Sequence, residues 1–96
     1  MHSLHARTLP RLMVDAIHCL WVAHDHLDDD LRGKTRHTIT SLRKADTTDP
    51  DRAGSVLLEA TAHFIAVEKS LEAAERPYTA DKVRRVRERV EHITLI

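Results

Sequence analysis

Apolar residues in the second half of the chain recur with the alternating three- and four-residue steps of an amphipathic helix. Between Ala53 and Ala74 this spacing places one stripe of residues on the same helix face. The stripe consists of Ala53, Leu57, Ala60, Phe64, Val67, Leu71 and Ala74. It predicts a long helix with one buried face. The connector at 45–51 precedes it, and Asp49 before Pro50 is suited to cap its N-terminus.

A similar pattern begins at about Leu9 and extends to about Gly33, which is a natural place for a helix to end. One histidine, His24, occupies a position of this stripe where the pattern favours leucine, and Val14 and Trp21 widen the apolar face. The stripe itself consists of Met13, Ile17, Leu20, His24, Leu27 and Leu31. The pattern predicts a second long amphipathic helix.

Two further segments complete the predicted architecture. After Pro77, which ends the preceding helix, Thr79 is suited to cap a last helix whose apolar stripe is Val83, Val86, Val90 and Ile93. Residues 34–45 contain four threonine or serine residues, which lower helix propensity, and they are interpreted as a short helix. The sequence therefore predicts an all-α antiparallel helical bundle of three long helices plus a possible short fourth.

Composition restricts the classes of function. Ninety-six residues, 42% apolar and 31% charged, fit a single domain spanning 1–96. Fifteen basic and fifteen acidic residues give zero formal charge, so overall attraction to nucleic acid or membranes is not expected, and no apolar run suits a membrane span. The single cysteine, Cys19, fits a reducing compartment, and a cytoplasmic location is expected.

Histidines are numerous, eight in all, and three of them lie on predicted helices together with carboxylates. Imidazole and carboxylate groups from several facing helices are the ligands with which a bundle holds a transition metal. The candidate ligands are His24, His63, Glu68 and His92. His63 and Glu68 are five residues apart, about 140° of helix rotation, so both cannot point straight inward. Structural roles are the alternative: a hydrogen-bonded core position for His24 and a half-exposed position beside the stripe for His63.

Two segments resemble a known family. Residues 62–96, AHFIAVEKSLEAAERPYTADKVRRVRERVEHITLI, resemble the second and third helices of the hemerythrin-like, HHE cation-binding family, and residues 20–31, LWVAHDHLDDDL, are similar to its first helix. The resemblance implies a four-helix bundle around a non-heme di-iron centre that binds oxygen or senses redox state and iron. It implies iron ligation by His24, His63 and His92 with Glu68 as the carboxylate.

The chain departs from that family at three points. Val67 stands four residues after His63, where the family commonly has a glutamate, and Ile96 stands where its third helix often has a second histidine. The family's fourth helix has no predicted counterpart. The resemblance thus implies either a scaffold without metal or a site that a dimer completes.

Two other classes of function stay open. The first is a non-enzymatic interaction module, because apolar stripes on three helices favour a homodimer or a partner helix, with Trp21 as a candidate anchor. The second is a ribonuclease resembling the higher-eukaryote-and-prokaryote nucleotide-binding type, whose arginine and histidine spacing is matched by Arg87 with His92 and by Arg32 with His37. No aromatic residue is interleaved with the arginines of the last helix, so nucleic-acid binding is not favoured. No other catalytic motif is present, and an enzyme is not expected.

Overall fold

The computed structural model describes the backbone of residues 2–94 and the side chains of residues 8–93. Four helices and no strand occur within these residues, so the prediction of an all-α fold is confirmed. The helices are α1 (His2–His24), α2 (Asp29–Lys44), α3 (Pro50–Ala73) and α4 (Pro77–Thr94). Each of them falls short of the length or the apolar content that crossing a membrane requires, as judged over the described residues.

Short connectors make consecutive helices antiparallel neighbours. Helices α1 and α3 each pack against α2 and α4, and they also meet each other across the diagonal of the bundle. The contact between α3 and α4 is the most extensive one. Four helices therefore surround one apolar core.

The first helix begins and ends earlier than the sequence pattern predicts. We expected one helix from Leu9 to Gly33, but α1 begins at His2, with Pro10 inside it, and ends at His24, and a new helix begins at Asp29. Asp28 caps α2, and its carboxylate accepts a hydrogen bond from the backbone N–H of Leu31 at 2.9 Å. The predicted short fourth helix is thus a 16-residue helix that begins five residues earlier than expected.

Most of the buried stripe predicted on α3 is confirmed, whereas the stripe predicted on α1 is wrong in part. All stripe residues from Ala53 to Leu71 are buried, whereas Ala74 is exposed. On α1 the buried face consists of Leu9, Leu12, Met13, Ala16, Cys19, Leu20 and Ala23. Val14 and Trp21, which we expected to widen this face, lie on the outside of the bundle, where they are 61% and 39% exposed.

The turn between α3 and α4 has the hydrogen bonds of a Schellman motif. The N–H of Arg76 donates to the carbonyl of Leu71 at 2.8 Å, and that of Glu75 donates to Glu72 at 3.1 Å. Glu75 has a φ of 59°, in the left-handed region that favours glycine. Helix α4 then begins at Pro77, so the prediction that Thr79 caps it is wrong by three residues.

We predict that Glu75→Gly stabilises the protein. Glycine removes the steric clash that a β-carbon makes at positive φ. Glycine also loses more backbone entropy on folding, so the net increase in the free energy of unfolding is about 0.5–1 kcal/mol. Urea unfolding followed by circular dichroism measures the change. Glu75→Ala is the control, because alanine keeps the β-carbon and gains nothing. A Glu75→Gly protein less stable than the parent would show that the positive φ carries no strain.

Candidate functional site

The structure places His24 at the last residue of α1, at the rim between α1 and α2. Its Nε2 lies 3.1 Å from Nη1 of Arg36, and its Nδ1 lies 3.1 Å from Oδ1 of Asp25. A guanidinium group can only donate, so Nε2 accepts and Nδ1 carries the proton that Asp25 accepts. His24 is therefore a hydrogen-bonded histidine, but it lies at the rim of the bundle and not within the apolar core.

Glu68 is buried, with 6% of its surface exposed, and its carboxylate faces α4. Arg87 donates to both of its oxygens, from Nε at 2.6 Å and from Nη2 at 3.1 Å. The same guanidinium group donates to Glu91 at 2.8 Å. These bonds, the one to Glu68 foremost, raise the pKa of Arg87. The carboxylate that the resemblance implies as an iron ligand thus forms a two-point ion pair with an arginine.

His63 lies on α3 and is half-buried, and its Nε2 is 2.7 Å from Oγ1 of Thr35 on α2. Burial lowers the pKa of His63, and the positive charge of Lys34 lowers it further. Thr35 is fully buried, and its hydroxyl has no hydrogen bond to its own helix among the described residues. The hydroxyl therefore donates to Nε2, which leaves the proton of the neutral ring on Nδ1.

The four predicted metal ligands have separate surroundings. His92 is exposed on α4, while His24, His63 and Glu68 bond to Arg36, Thr35 and Arg87 respectively. In the part of the chain that the structure describes, no group of three or more histidine, cysteine or carboxylate residues is arranged to hold a metal ion. Ile96 lies outside the described residues. The metal site stays a prediction, and no assembled set of ligands supports it.

The protonation of His63 leads to a predicted dependence of stability on pH. The pKa of its ring is lower in the folded protein than in the unfolded chain, so the unfolded chain binds more protons as the pH falls. The contribution of His63 to the free energy of unfolding is fully present when the pH is above the ordinary histidine pKa of about 6.5. It is lost as the pH falls from there through the lower pKa of the folded protein. We expect His63→Gln to reduce the loss of stability between neutral and mildly acidic buffer, as measured by urea unfolding at each pH.

His92→Gln is the matched control for this measurement, because His92 is exposed on α4. Its stability should follow the same pH dependence as the parent protein. An unchanged acid sensitivity in His63→Gln would contradict the assignment of this effect to His63.

A feature that the sequence analysis misinterpreted is an apolar stripe on the outside of α1. It consists of Pro10, Val14, Ile17 and Trp21, which we call the outer stripe. Val14 and Trp21 are exposed and Ile17 is partly buried. The Arg43 guanidinium group lies 5.6 Å from the centroid of the Trp21 ring and makes a cation–π contact with one face of the ring. The steps of four, three and four residues are visible in the sequence and are those of a coiled-coil seam.

A second surface feature is a groove of about 200 Å³ between α2 and α3. Its polar side chains include His37, Thr38 and Ser41 from α2 and Glu59 and His63 from α3. We call it the α2–α3 groove. Its lining residues come from α2 and α3, whereas the residues of the outer stripe all lie on α1.

Comparison of the chain with known protein families, with curated proteins and with solved structures found no match. The resemblance to the hemerythrin-like family thus stays a prediction.

Proposed function

We propose that this protein is a non-enzymatic helical interaction module that forms a homodimer through the outer stripe of α1. The observation that supports the proposal is the exposure of Val14 and Trp21 on a bundle whose core is already closed by four helices. Exposed apolar residues scattered singly are ordinary, but a continuous seam along one helix suits a partner helix.

Charges beside the outer stripe favour a second copy as the partner. When Val14 and Trp21 take the first position of each heptad, Arg11, His18 and Asp25 share the fifth. In an antiparallel pair of α1 helices, these positions place Arg11 beside Asp25 of the second copy and His18 beside its own equivalent. The side chains of Arg11 and Asp25 are 81% and 87% exposed, so a partner can reach both of them beside their contacts with Asp15 and His24 in the same chain.

The same antiparallel register determines which apolar residues of the outer stripe contact each other across the dimer. Trp21 of one copy lies opposite Ile17 of the other, and the two-fold axis repeats this contact. A tryptophan at the centre of an interface is the type of residue that contributes most of the binding energy. One pair of helices buries less than a standard interface, so we expect a dimer with a Kd of about tens of micromolar.

The alternative functions, iron binding and ribonuclease activity, have less support, because a key side chain of each is engaged in an ion pair. Iron ligation by Glu68 requires the loss of its ion pair with Arg87. The Arg87 and His92 pair of the ribonuclease interpretation has the same difficulty, since the guanidinium group of Arg87 is occupied by Glu68 and Glu91 and does not face a free phosphate site.

Sedimentation equilibrium over a range from about one micromolar to one millimolar protein tests the proposal, since it spans the expected Kd. We expect a reversible transition from monomer to dimer within this range. A monomer at every concentration would contradict homodimer formation. A trimer or larger assembly would also contradict the two-fold arrangement of α1 helices.

A further inference from the structure

The α2–α3 groove combines an apolar floor with a polar rim. Leu42, Val56 and Ala60 contribute the apolar part, and Leu42 and Ala60 belong to the buried core. The volume of about 200 Å³ is below the range of about 300–1,000 Å³ that is typical of pockets for drug-sized ligands, so the groove suits a ligand no larger than one ring with a short alkyl chain.

The hydroxyl groups of the rim present only acceptors to the groove. Thr38 donates its hydroxyl hydrogen to the carbonyl of Lys34 at 3.0 Å, and Ser41 donates to that of His37 at 3.2 Å. Each hydroxyl has one hydrogen, so the remaining capacity of both oxygens is to accept. A ligand that bonds to these two hydroxyl groups therefore has to donate the hydrogen bonds.

A negative charge completes the rim. Glu59 lines the groove and forms no ion pair with any residue whose side chain the structure describes. The nearby cation Lys34, whose charge also acts on His63, forms an ion pair with Asp30 at 3.2 Å. The Nε2 of His63 accepts the hydroxyl hydrogen of Thr35 at 2.7 Å, and burial lowers the pKa of this half-buried ring, which favours its neutral form. The carboxylate is thus the dominant charge at this rim.

We propose that the α2–α3 groove binds a small organic amine in its protonated form. The apolar body of the amine packs on Val56 and Ala60, above the buried Leu42, and its ammonium group donates to Glu59 and to the oxygens of Thr38 and Ser41. Charge-assisted hydrogen bonds to a carboxylate give this arrangement its selectivity for a cation. The proposal is independent of the homodimer, because the groove and the outer stripe share no residue.

Phenethylamine is a suitable probe, and 2-phenylethanol and phenylacetate are its neutral and anionic counterparts. Titration into ¹⁵N-labelled protein, followed by backbone amide chemical shifts, should give saturable changes at residues of the groove with phenethylamine. We expect weaker binding of 2-phenylethanol and none of phenylacetate. Replacing Glu59 with glutamine removes the charge and should weaken the binding of phenethylamine about tenfold, as expected for one charge-assisted hydrogen bond.

Glu88→Gln is the matched control, because Glu88 is an exposed glutamate on α4 away from the groove. It should bind phenethylamine as the parent protein does. Three results would overturn the proposal: no saturable shifts at the groove, equal affinity in Glu59→Gln, or equal affinity for phenylacetate. Saturable shifts centred on the acidic residues 28–30 would also overturn it.

Discussion

Replacing Arg87 with methionine lowers the free energy of unfolding by about 3 kcal/mol, because it leaves the carboxylate of Glu68 buried without its two-point partner. Only 8% of the Glu68 side chain and 19% of the Arg87 side chain are exposed, so water cannot replace the lost hydrogen bonds fully. Arg84, with its Nε 3.7 Å from Oε1 of Glu68, compensates for part of the charge. The expected loss is therefore at the lower end of the range for a broken buried pair.

The double variant Arg87→Met with Glu68→Leu separates the cost of an unpaired charge from the value of the pair. It should recover to within about 1 kcal/mol of the parent, because apolar residues can replace a buried ion pair at little cost. Arg85→Met is the control, since the Arg85 side chain is 78% exposed and pairs only within α4. Urea unfolding measures all three. A loss below about 1 kcal/mol in Arg87→Met would show that Glu68 is solvated or satisfied elsewhere.

Replacing Val14 with glutamate weakens the dimer about one hundredfold, which corresponds to about 2.7 kcal/mol. The substitution puts a carboxylate into an apolar seam, where it loses hydrating water when the dimer forms. Val14 is 61% exposed in the single chain, so the folded monomer tolerates a charged side chain there. Sedimentation equilibrium gives the change in Kd, and circular dichroism confirms that the helices are retained.

Leu58→Glu is the matched control for this experiment. Leu58 is also a large apolar residue, 42% exposed, but it lies on α3 and not on α1. Its substitution should leave the Kd of the dimer unchanged. A dimer that dissociates with Leu58→Glu and persists with Val14→Glu would assign the interface to α3 and contradict the role of the outer stripe.

Helix α3 shows what sequence reasoning can predict in this protein. Its apolar residues keep one period from Ala53 to Leu71, and Asp49 before Pro50 marks its beginning, so both the buried face and the N-terminus follow from local rules. The structure confirms both: the side chain of Asp49 accepts a hydrogen bond from the N–H of Arg52 at 3.4 Å.

The break between α1 and α2 was missed because the apolar period continues through it. Leu27 lies in the connector and yet is buried, in phase with the stripe of α1. The local signal of the break is Asp28, an N-cap followed by Asp29 and Asp30 in the first turn, where carboxylates stabilise the helix dipole. An N-cap residue in the middle of a periodic apolar pattern indicates a break between two helices, even where the apolar period continues through it.

The candidate site was harder to predict than the fold. The partner of Glu68 is Arg87, nineteen residues later, and their pairing depends on the register that the α3–α4 turn sets. Likewise α1 has two apolar stripes, and sequence alone does not show which one the other three helices cover. Large residues such as Trp21 suggested the core, while smaller ones such as Ala16 and Ala23 are in fact buried there.

Site-specific disulfide cross-linking tests the antiparallel homodimer most directly. Cys19 does not interfere, because burial, and to a lesser degree the charge of Asp15, raises the pKa of its thiol to about 12. In the antiparallel register the two copies of residue 18 are neighbours, whereas the two copies of residue 11 are about 20 Å apart along the helix axis. The account predicts that His18→Cys cross-links readily and that Arg11→Cys alone does not. Cross-linking of Arg11→Cys to itself, or none with His18→Cys, would contradict it.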